Sequence, residues 1–280
     1  LSDTSPRPIG VFDSGIGGLT VVAEIARQLP NEEIVYFGDT ARLPYGPKSR
    51  ETVTQFAIQD TEFLLTHGVK MVVVACNTAS SVAIDALSER YGLPIIGVIA
   101  PGALAAVSST LAGKVGVIGT EGTIASHAYL REIKKLDRDI EVIEKSCPLF
   151  VPLAEEGWTE REVTLVIAHE YLIPLRDAGI DVVVLGCTHY PILKGTIGRV
   201  FGPGVRLIDS AEETAREVAE RLSVLGLGRT REAAPEHRFF VSDVPHRFRE
   251  QAERFLGAPL PNVEVVSVDE LPRHGESVSA

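Results

Sequence analysis

An apolar run that ends in a cysteine occurs twice in the chain, as Val72-Val73-Val74-Ala75-Cys76-Asn77-Thr78 and as Val182-Val183-Val184-Leu185-Gly186-Cys187-Thr188-His189. Two thiols delivered by two similar segments point to one chemical site built from two halves. A thiol has a reference pKa of about 8.5, near enough to neutrality to serve as a base in one step and an acid in another. A single cysteine closing a valine-rich run is ordinarily core packing, and the duplication is what turns the reading toward chemistry. Cys147 has no such twin, precedes Pro148 and reads as structural. Other chemistries fit less well. No two cysteines lie within a few residues of each other and neither CxxC nor HExxH occurs, so no metal is expected. A pyridoxal enzyme needs a Schiff-base lysine, and none sits at either cysteine. Gly15, Gly17 and Gly18 lack the GxGxxG spacing of a dinucleotide-binding turn. No cofactor is expected.

Each valine-rich run is short, β-branched and free of polar alternation, like a strand buried on both faces of a parallel sheet. Ligands of open α/β sheets sit beyond the carboxyl ends of such strands, which puts Cys76, Asn77, Thr78, Cys187, Thr188 and His189 at a cleft. The repetition extends upstream. Gly10-Val11-Phe12-Asp13-Ser14-Gly15, 66 positions before Cys76, is echoed by Gly116-Val117-Ile118-Gly119-Thr120-Glu121-Gly122, 71 before Cys187. The expected fold is α/β, with two pseudo-symmetric open-sheet lobes. Residues 1–98 plus 211–280 are assigned to the first lobe, which thus holds both chain ends, and 99–210 to the second.

Apolar periodicity places strands at Ile9 to Phe12, Ile34 to Phe37, Ile95 to Ile99, Val115 to Ile118, Glu141 to Ile143 and Val205 to Ile208, besides the two that carry the cysteines. Helices alternate with them, from Gly18 to Leu29, around Val53 to Leu64 with a polar break at Asp60, and from Ile124 to Leu136. A further helix after Cys76 has Thr78 or Ser80 placed to cap it. Glu160 to Tyr171 reads as a helix interrupted by Pro174, and Ser210 caps a long helix to Leu225. Leu1 to Pro8 reads as a frayed head, Arg42 to Pro47 and Pro148 to Gly157 as irregular, and Gly226 to His237 as an exposed linker. The tail resumes with a strand at Phe239 to Val241, a helix from Pro245 to Leu256 and a strand from Val263 to Val268.

A chain of 280 residues accommodates two cores. The net charge of −11 disfavours a nucleic-acid backbone as partner, because that affinity rests on accumulated Lys and Arg. No apolar run approaches the roughly 18 residues of a membrane span, and no signal-like segment opens the chain. Three cysteines do not make a disulfide scaffold, so a cytoplasmic location is expected.

Six blocks in order, Phe12-Asp13-Ser14-Gly15-Ile16-Gly17-Gly18-Leu19, Gly38-Asp39-Thr40, Pro44-Tyr45-Gly46, Ala75-Cys76-Asn77-Thr78-Ala79, Glu155-Glu156-Gly157 and Gly186-Cys187-Thr188-His189-Tyr190-Pro191, together resemble the glutamate racemases of the aspartate/glutamate racemase superfamily. The resemblance runs from about Ile9 to Leu256. It implies two α/β lobes facing each other across a central substrate cleft, in a cofactor-independent enzyme of bacterial cell-wall synthesis that interconverts L- and D-glutamate, commonly as a homodimer.

Inverting an α-carbon requires removing a proton from one face and supplying one to the other, which a single fixed base does poorly. Two thiols on opposite faces solve this, one as thiolate base and the other as protonated acid. The resemblance assigns Cys76 to the D-enantiomer and Cys187 to the L-enantiomer, with Asp13 serving Cys76, and Glu155 and His189 serving Cys187. Substrate carboxylates and ammonium fall to short neutral donors, Ser14, Asn77, Thr78, Thr188 and the backbone around Tyr45-Gly46. The resemblance supports these together with Tyr45 itself and His189, and adds Thr120 and Thr123; Pro44 belongs to the same loop as Tyr45. Asp39 is either a turn anchor or a residue of the site's edge. Tyr45 has packing as its alternative role, and His189 the holding of its strand end. Two rival functions remain: a related two-cysteine enzyme acting on aspartate or a hydantoin, and a bilobal protein that only binds an acidic metabolite.

Overall fold

Residues 6–230, 234–244 and 248–271 are described in this computed structural model, and within them alternating strands and helices build two parallel sheets. The chain begins with β1 (Ile9–Asp13), α1 (Leu19–Gln28), β2 (Ile34–Gly38), α2 (Arg50–Thr66), β3 (Met71–Val74), α3 (Asn77–Arg90) and β4 (Ile95–Gly97). There follow α4 (Ile99–Ser109), β5 (Lys114–Gly119), α5 (Glu121–Ala125), α6 (Ala128–Leu136), β6 (Glu141–Ser146), α7 (Phe150–Glu155), α8 (Glu162–Asp177), β7 (Val182–Gly186), α9 (Lys194–Phe201) and β8 (Arg206–Asp209). The last elements are α10 (Ser210–Leu225), β9 (Arg238–Val241), α11 (Phe248–Leu256) and β10 (Val263–Val265).

The first sheet runs β10-β9-β2-β1-β3-β4 and the second β6-β5-β7-β8. Its inner order β2-β1-β3-β4 is therefore repeated, with β1 matching β5 and β3 matching β7. The doubled sequence segments are these strands: Gly10 of β1 stands opposite Val72 of β3, and Gly116 of β5 opposite Val183 of β7. Two pseudo-symmetric lobes are what the sequence echo means in three dimensions.

Strand periodicity sorts the core. Ile9, Val11, Ile34, Tyr36, Met71 and Val73 face a cluster that continues through α1 into the second sheet. Phe12, Val35, Phe37, Val72 and Val74 face a separate cluster with Val53, Ala57 and Leu64 of α2 and Ala79, Ala83 and Leu87 of α3. Both faces of β3 and β7 are buried, so their valine runs carry no polar alternation.

Several local expectations are corrected. Cys76 itself, rather than Thr78 or Ser80, is the N-cap of α3, its sulfur accepting from the Ala79 amide at 3.4 Å. The helix expected over 124–136 divides into α5 and α6 at His127, whose φ of 52° breaks the ladder and whose Nδ1 meets Glu144 Oε2 at 2.6 Å. Within the stretch read as irregular, α7 forms because Pro152 falls in its first turn, where no intrahelical N–H bond is lost, and Phe150 and Leu153 are buried. α8 continues past Pro174 because Leu172 and Leu175, on either side of it, are buried. Asp209 caps α10 by accepting from the Ala211 amide at 2.9 Å, while Ser210 donates to the Leu185 carbonyl. The linker after Gly226 is tied down at Arg229, which is buried, gives its amide to Glu32 and its guanidinium to Glu33. The strand expected to Val268 ends at Val265 and yields to a short turn of 3₁₀ helix, Val268–Glu270. Leu1 to Ser5 of the head and Pro245 to Arg247 of the tail helix lie outside the described residues. No described helix is long and apolar enough to cross a membrane.

The tail extends the first sheet, since β9 pairs with β2 and β10 with β9, both parallel. It buries Phe239, Phe240, Val241, Phe248, Phe255, Leu260 and Leu271. Each such side chain contributes about 1.5–3 kcal/mol, and the set rivals the roughly 5–15 kcal/mol of net stability of a domain. Deleting residues 227–280 is therefore expected to unfold the first lobe rather than release a separable unit. Calorimetry of the full chain checks this, and an independent cooperative transition belonging to the tail would refute it.

Candidate active site

The carboxyl ends of β1, β3, β5 and β7 converge on one cavity of about 320 Å³. Its wall comprises Ser14, Pro44, Tyr45, Gly46, Cys76, Asn77, Thr78, Thr120, Glu155, Cys187, Thr188 and His189, together with Leu43 and Val151. Both cysteines are thus brought to the same space, one from each sheet. Asp13, Asp39 and Thr123 lie behind the wall, each almost wholly buried.

On the first side, the Cys76 thiol donates to Ser14 Oγ at 3.5 Å and caps α3. The first amides of α3 have no acceptor inside the helix and stand where Asn77 and Thr78 meet the cavity. Burial and then the neighbouring Asp13 carboxylate push the Cys76 thiol up to about 12. Asp13 ends β1 and accepts from the Gly15 amide at 3.0 Å through Oδ2. Its Oδ1 is buried without a partner among the described residues. Burial raises the Asp13 carboxyl, against the His189 charge and the amides of Gly18, Gly15 and Ser14. Cys76 at rest is therefore a thiol, with a carboxyl able to take up a proton behind it.

The second side differs. His189 stands with Nδ1 3.8 Å from Cys187 Sγ and Nε2 3.1 Å from Glu155 Oε1. Burial alone lowers its pKa, but the hydrogen bonds to Cys187 and Glu155 outweigh this and carry it up to about 10. The imidazole is thus a cation at neutral pH, set directly against the sulfur. Thr20 of α1 donates to the Thr188 carbonyl across the lobes at 3.1 Å, holding this turn in place. Gly17 leaves room for the approach: a Cβ there would lie 2.3 Å from Thr188 Oγ1 and 2.5 Å from His189 Nδ1.

Hydroxyls bridge the cleft. Thr78 and Thr120 meet at 2.9 Å, and Thr120 and Thr123 at 3.0 Å, where Thr120 also caps α5. Thr123 thereby orients the other two without touching the cavity. Asp39 is a turn anchor, accepting from Arg42 Nε at 2.6 Å, Tyr45 OH at 2.5 Å and Ser242 Oγ at 2.9 Å. The Tyr45 hydroxyl is committed to Asp39 and Asp60, which leaves the ring and backbone of the Pro44-Tyr45-Gly46 loop to face the cavity.

Sequence reasoning missed Asp60 and Arg42, although the polar break in the apolar stripe of α2 was the signal. Asp60 is fully buried, bonded to Arg42 Nη2 at 2.8 Å and to Tyr45, and so fastens the loop. It also missed the part that α11 plays at the site, where Arg254 Nη1 donates to the Glu155 carbonyl at 2.8 Å and the Phe255 ring stands edge-on to His189 at 5.0 Å. These residues lie far from any cysteine in sequence, and nothing in their spacing marked them. Among the described residues no three His, Cys, Asp or Glu side chains gather as metal ligands.

Residues 9–218 match the family described as Asp/Glu/hydantoin racemase. The chain is 54% identical over 263 residues to a glutamate racemase of Geobacter metallireducens, covering 94% of this chain and 97% of that one. It is similar in structure to a glutamate racemase from Bacillus anthracis, with a TM-score of 0.91, 42% identity and coverage of 95% and 99% of the two chains. A glutamate racemase from Francisella tularensis in complex with D-glutamate gives a TM-score of 0.89 at 43% identity, with the same coverage.

Proposed function

The chain belongs to the Asp/Glu/hydantoin racemase family, and we propose that it is a glutamate racemase in which Cys76 and Cys187 exchange protons with opposite faces of the α-carbon. One observation carries this reading: two cysteines at equivalent strand ends of two equivalent sheets open onto one cavity. Their surroundings divide the work. Cys187, beside the His189 cation, is the base for L-glutamate; its sulfur takes the α-proton while the C–H electron pair stays on carbon. The Cys76 thiol then gives its proton to the other face and becomes the thiolate. D-glutamate runs the same steps backward. Asp13 on one side and the Glu155–His189 pair on the other move protons to and from the sulfurs between turnovers.

The substrate carboxylates are held by donors from Ser14, Asn77, Thr78, Thr120 and Thr188 in a small cavity. Among the described residues no lysine or arginine lines it, so the acidic ligand is held by hydrogen bonds from neutral groups and by the His189 charge. The reading needs neither metal nor organic cofactor, and its D-glutamate is assigned to peptidoglycan synthesis.

Incubation with L-glutamate in deuterated water tests it. Early in the reaction deuterium is expected at the α-carbon of D-glutamate, while recovered L-glutamate stays unlabelled, because the acid on the product side is a solvent-exchanged thiol. Binding of glutamate without α-hydrogen exchange would make the protein a binding module. Turnover confined to aspartate or a hydantoin would move it to a related racemase.

A further inference from the structure

Asn77 is 2% exposed and faces the cavity, yet only one end of its amide is satisfied within the protein. Oδ1 accepts from the Tyr129 hydroxyl at 2.8 Å, while Nδ2 is buried with no partner among the described residues. Tyr129 comes from α6 in the other half of the molecule and is 1% exposed. Its ring occupies a slot made by two glycines. A Cβ on Gly102 of α4 would stand 3.2 Å from the ring, and one on Gly186, at the end of β7 just before Cys187, 3.0 Å from it. Ser210, whose own hydroxyl donates to the Leu185 carbonyl, also stands beside the phenol, and the bond to Asn77 Oδ1 at 2.8 Å is shorter than the 3.5 Å approach to the Val98 carbonyl, so the phenol proton is directed to Asn77. Burial keeps that proton on the phenol by raising its pKa.

An amide side chain has a donor end and an acceptor end of nearly equal size, and only its partners decide which way it points. We propose that Tyr129 is a positioning residue that takes the oxygen of Asn77 and so turns its NH2 group toward a carboxylate of the substrate. The glycine before Cys187 then has a definite task, to admit the ring that reaches across to the other cysteine's helix. The orientation depends on the two halves being closed on each other, so the donor is fully aimed only when the site is assembled. This inference rests on the racemase reading of the cavity.

Tyr129→Phe fills the same slot and removes only the hydroxyl. It is expected to raise KM for both enantiomers of glutamate about tenfold, the worth of one charge-assisted hydrogen bond, with kcat little changed. Asn77→Ala is expected to raise KM at least as much, and the double variant no more than Asn77→Ala alone. Asn77→Asp keeps an acceptor for Tyr129 but offers the substrate a carboxylate, and glutamate binding should be largely lost. An unchanged KM in Tyr129→Phe, additive losses in the double variant, or wild-type binding in Asn77→Asp would each overturn the proposal. Wild-type turnover of glutamate, measured alongside, separates these outcomes from failure of the racemase reading itself.

Discussion

Replacing either cysteine by alanine is expected to lower racemisation by about two to four orders of magnitude, the range for removing a positioned acid or base, while sparing one half of the reaction. Each enantiomer needs its own base for the first step, and the other cysteine acts only in the second. A glutamate analogue with a leaving group on the β-carbon isolates that first step, because its carbanion expels the group instead of waiting for a proton. The Cys187→Ala variant should then still process the D-form, and Cys76→Ala the L-form. Such a substrate is essential. The two enantiomers of glutamate are equal in energy, so kcat/KM must stay equal in the two directions of racemisation for any variant, and ordinary turnover cannot tell the faces apart. Serine variants refine the test. At position 76 serine preserves an N-cap that alanine loses, at a cost of about 1 kcal/mol, yet a hydroxyl is a far poorer base than a thiolate near neutrality. Cys76→Ser should thus be as stable as the parent and nearly as inactive in deprotonating the D-form. Equal losses on both enantiomers of the analogue, in both alanine variants, would mean that the cysteines shape the pocket without acting on separate faces.

The duplicated segments made the lobes legible because a doubly buried parallel strand has a sequence signature of its own, and it occurs in the same topological place twice. The cavity wall was legible for a related reason: short polar residues just past a valine run have nowhere to go except the strand-end crevice. What sequence could not supply is the set of contacts made by chain folding back on itself. Asp60 is a polar residue on an apolar helix face, visible as an anomaly, but its partners Arg42 and Tyr45 lie across a loop whose path no periodicity describes. Tyr129 and Arg254 read as ordinary helix residues, and only packing shows that one reaches Asn77 and the other the Glu155 carbonyl. Helix ends were misplaced where an unusual group caps, as the Cys76 sulfur does, or where a proline is tolerated because its neighbours are buried, as around Pro174.

The unequal surroundings of the two sulfurs should appear in the pH dependence of the separated half-reactions. Deprotonation of the L-form relies on the His189 cation beside Cys187, and His189 keeps its proton until about pH 10. With the β-leaving-group analogue, the L-side rate should therefore fall as the pH passes through that value. Deprotonation of the D-form needs the thiolate of Cys76, whose pKa lies at about 12. Below that pH the thiolate fraction grows about tenfold per unit, so the D-side rate should climb with pH through the neutral and mildly alkaline range. Variants assign the causes. His189→Asn removes the cation and should cost the L-side about a hundredfold or more, the lower end for acid–base assistance. Glu155→Gln weakens the bond that helps hold His189 protonated, so the fall of the L-side rate should move to lower pH. Asp13→Asn bears on the D-side in two opposing ways. It removes a negative charge that raises the Cys76 pKa, which alone would favour the thiolate, but it also removes the group able to accept the thiol proton. A D-side rate that falls in Asp13→Asn means that proton acceptance outweighs charge repulsion, which is the result expected here. A D-side rate that rises, with the L-side unchanged, would show Asp13 to be only a buried charge that Cys76 must work against.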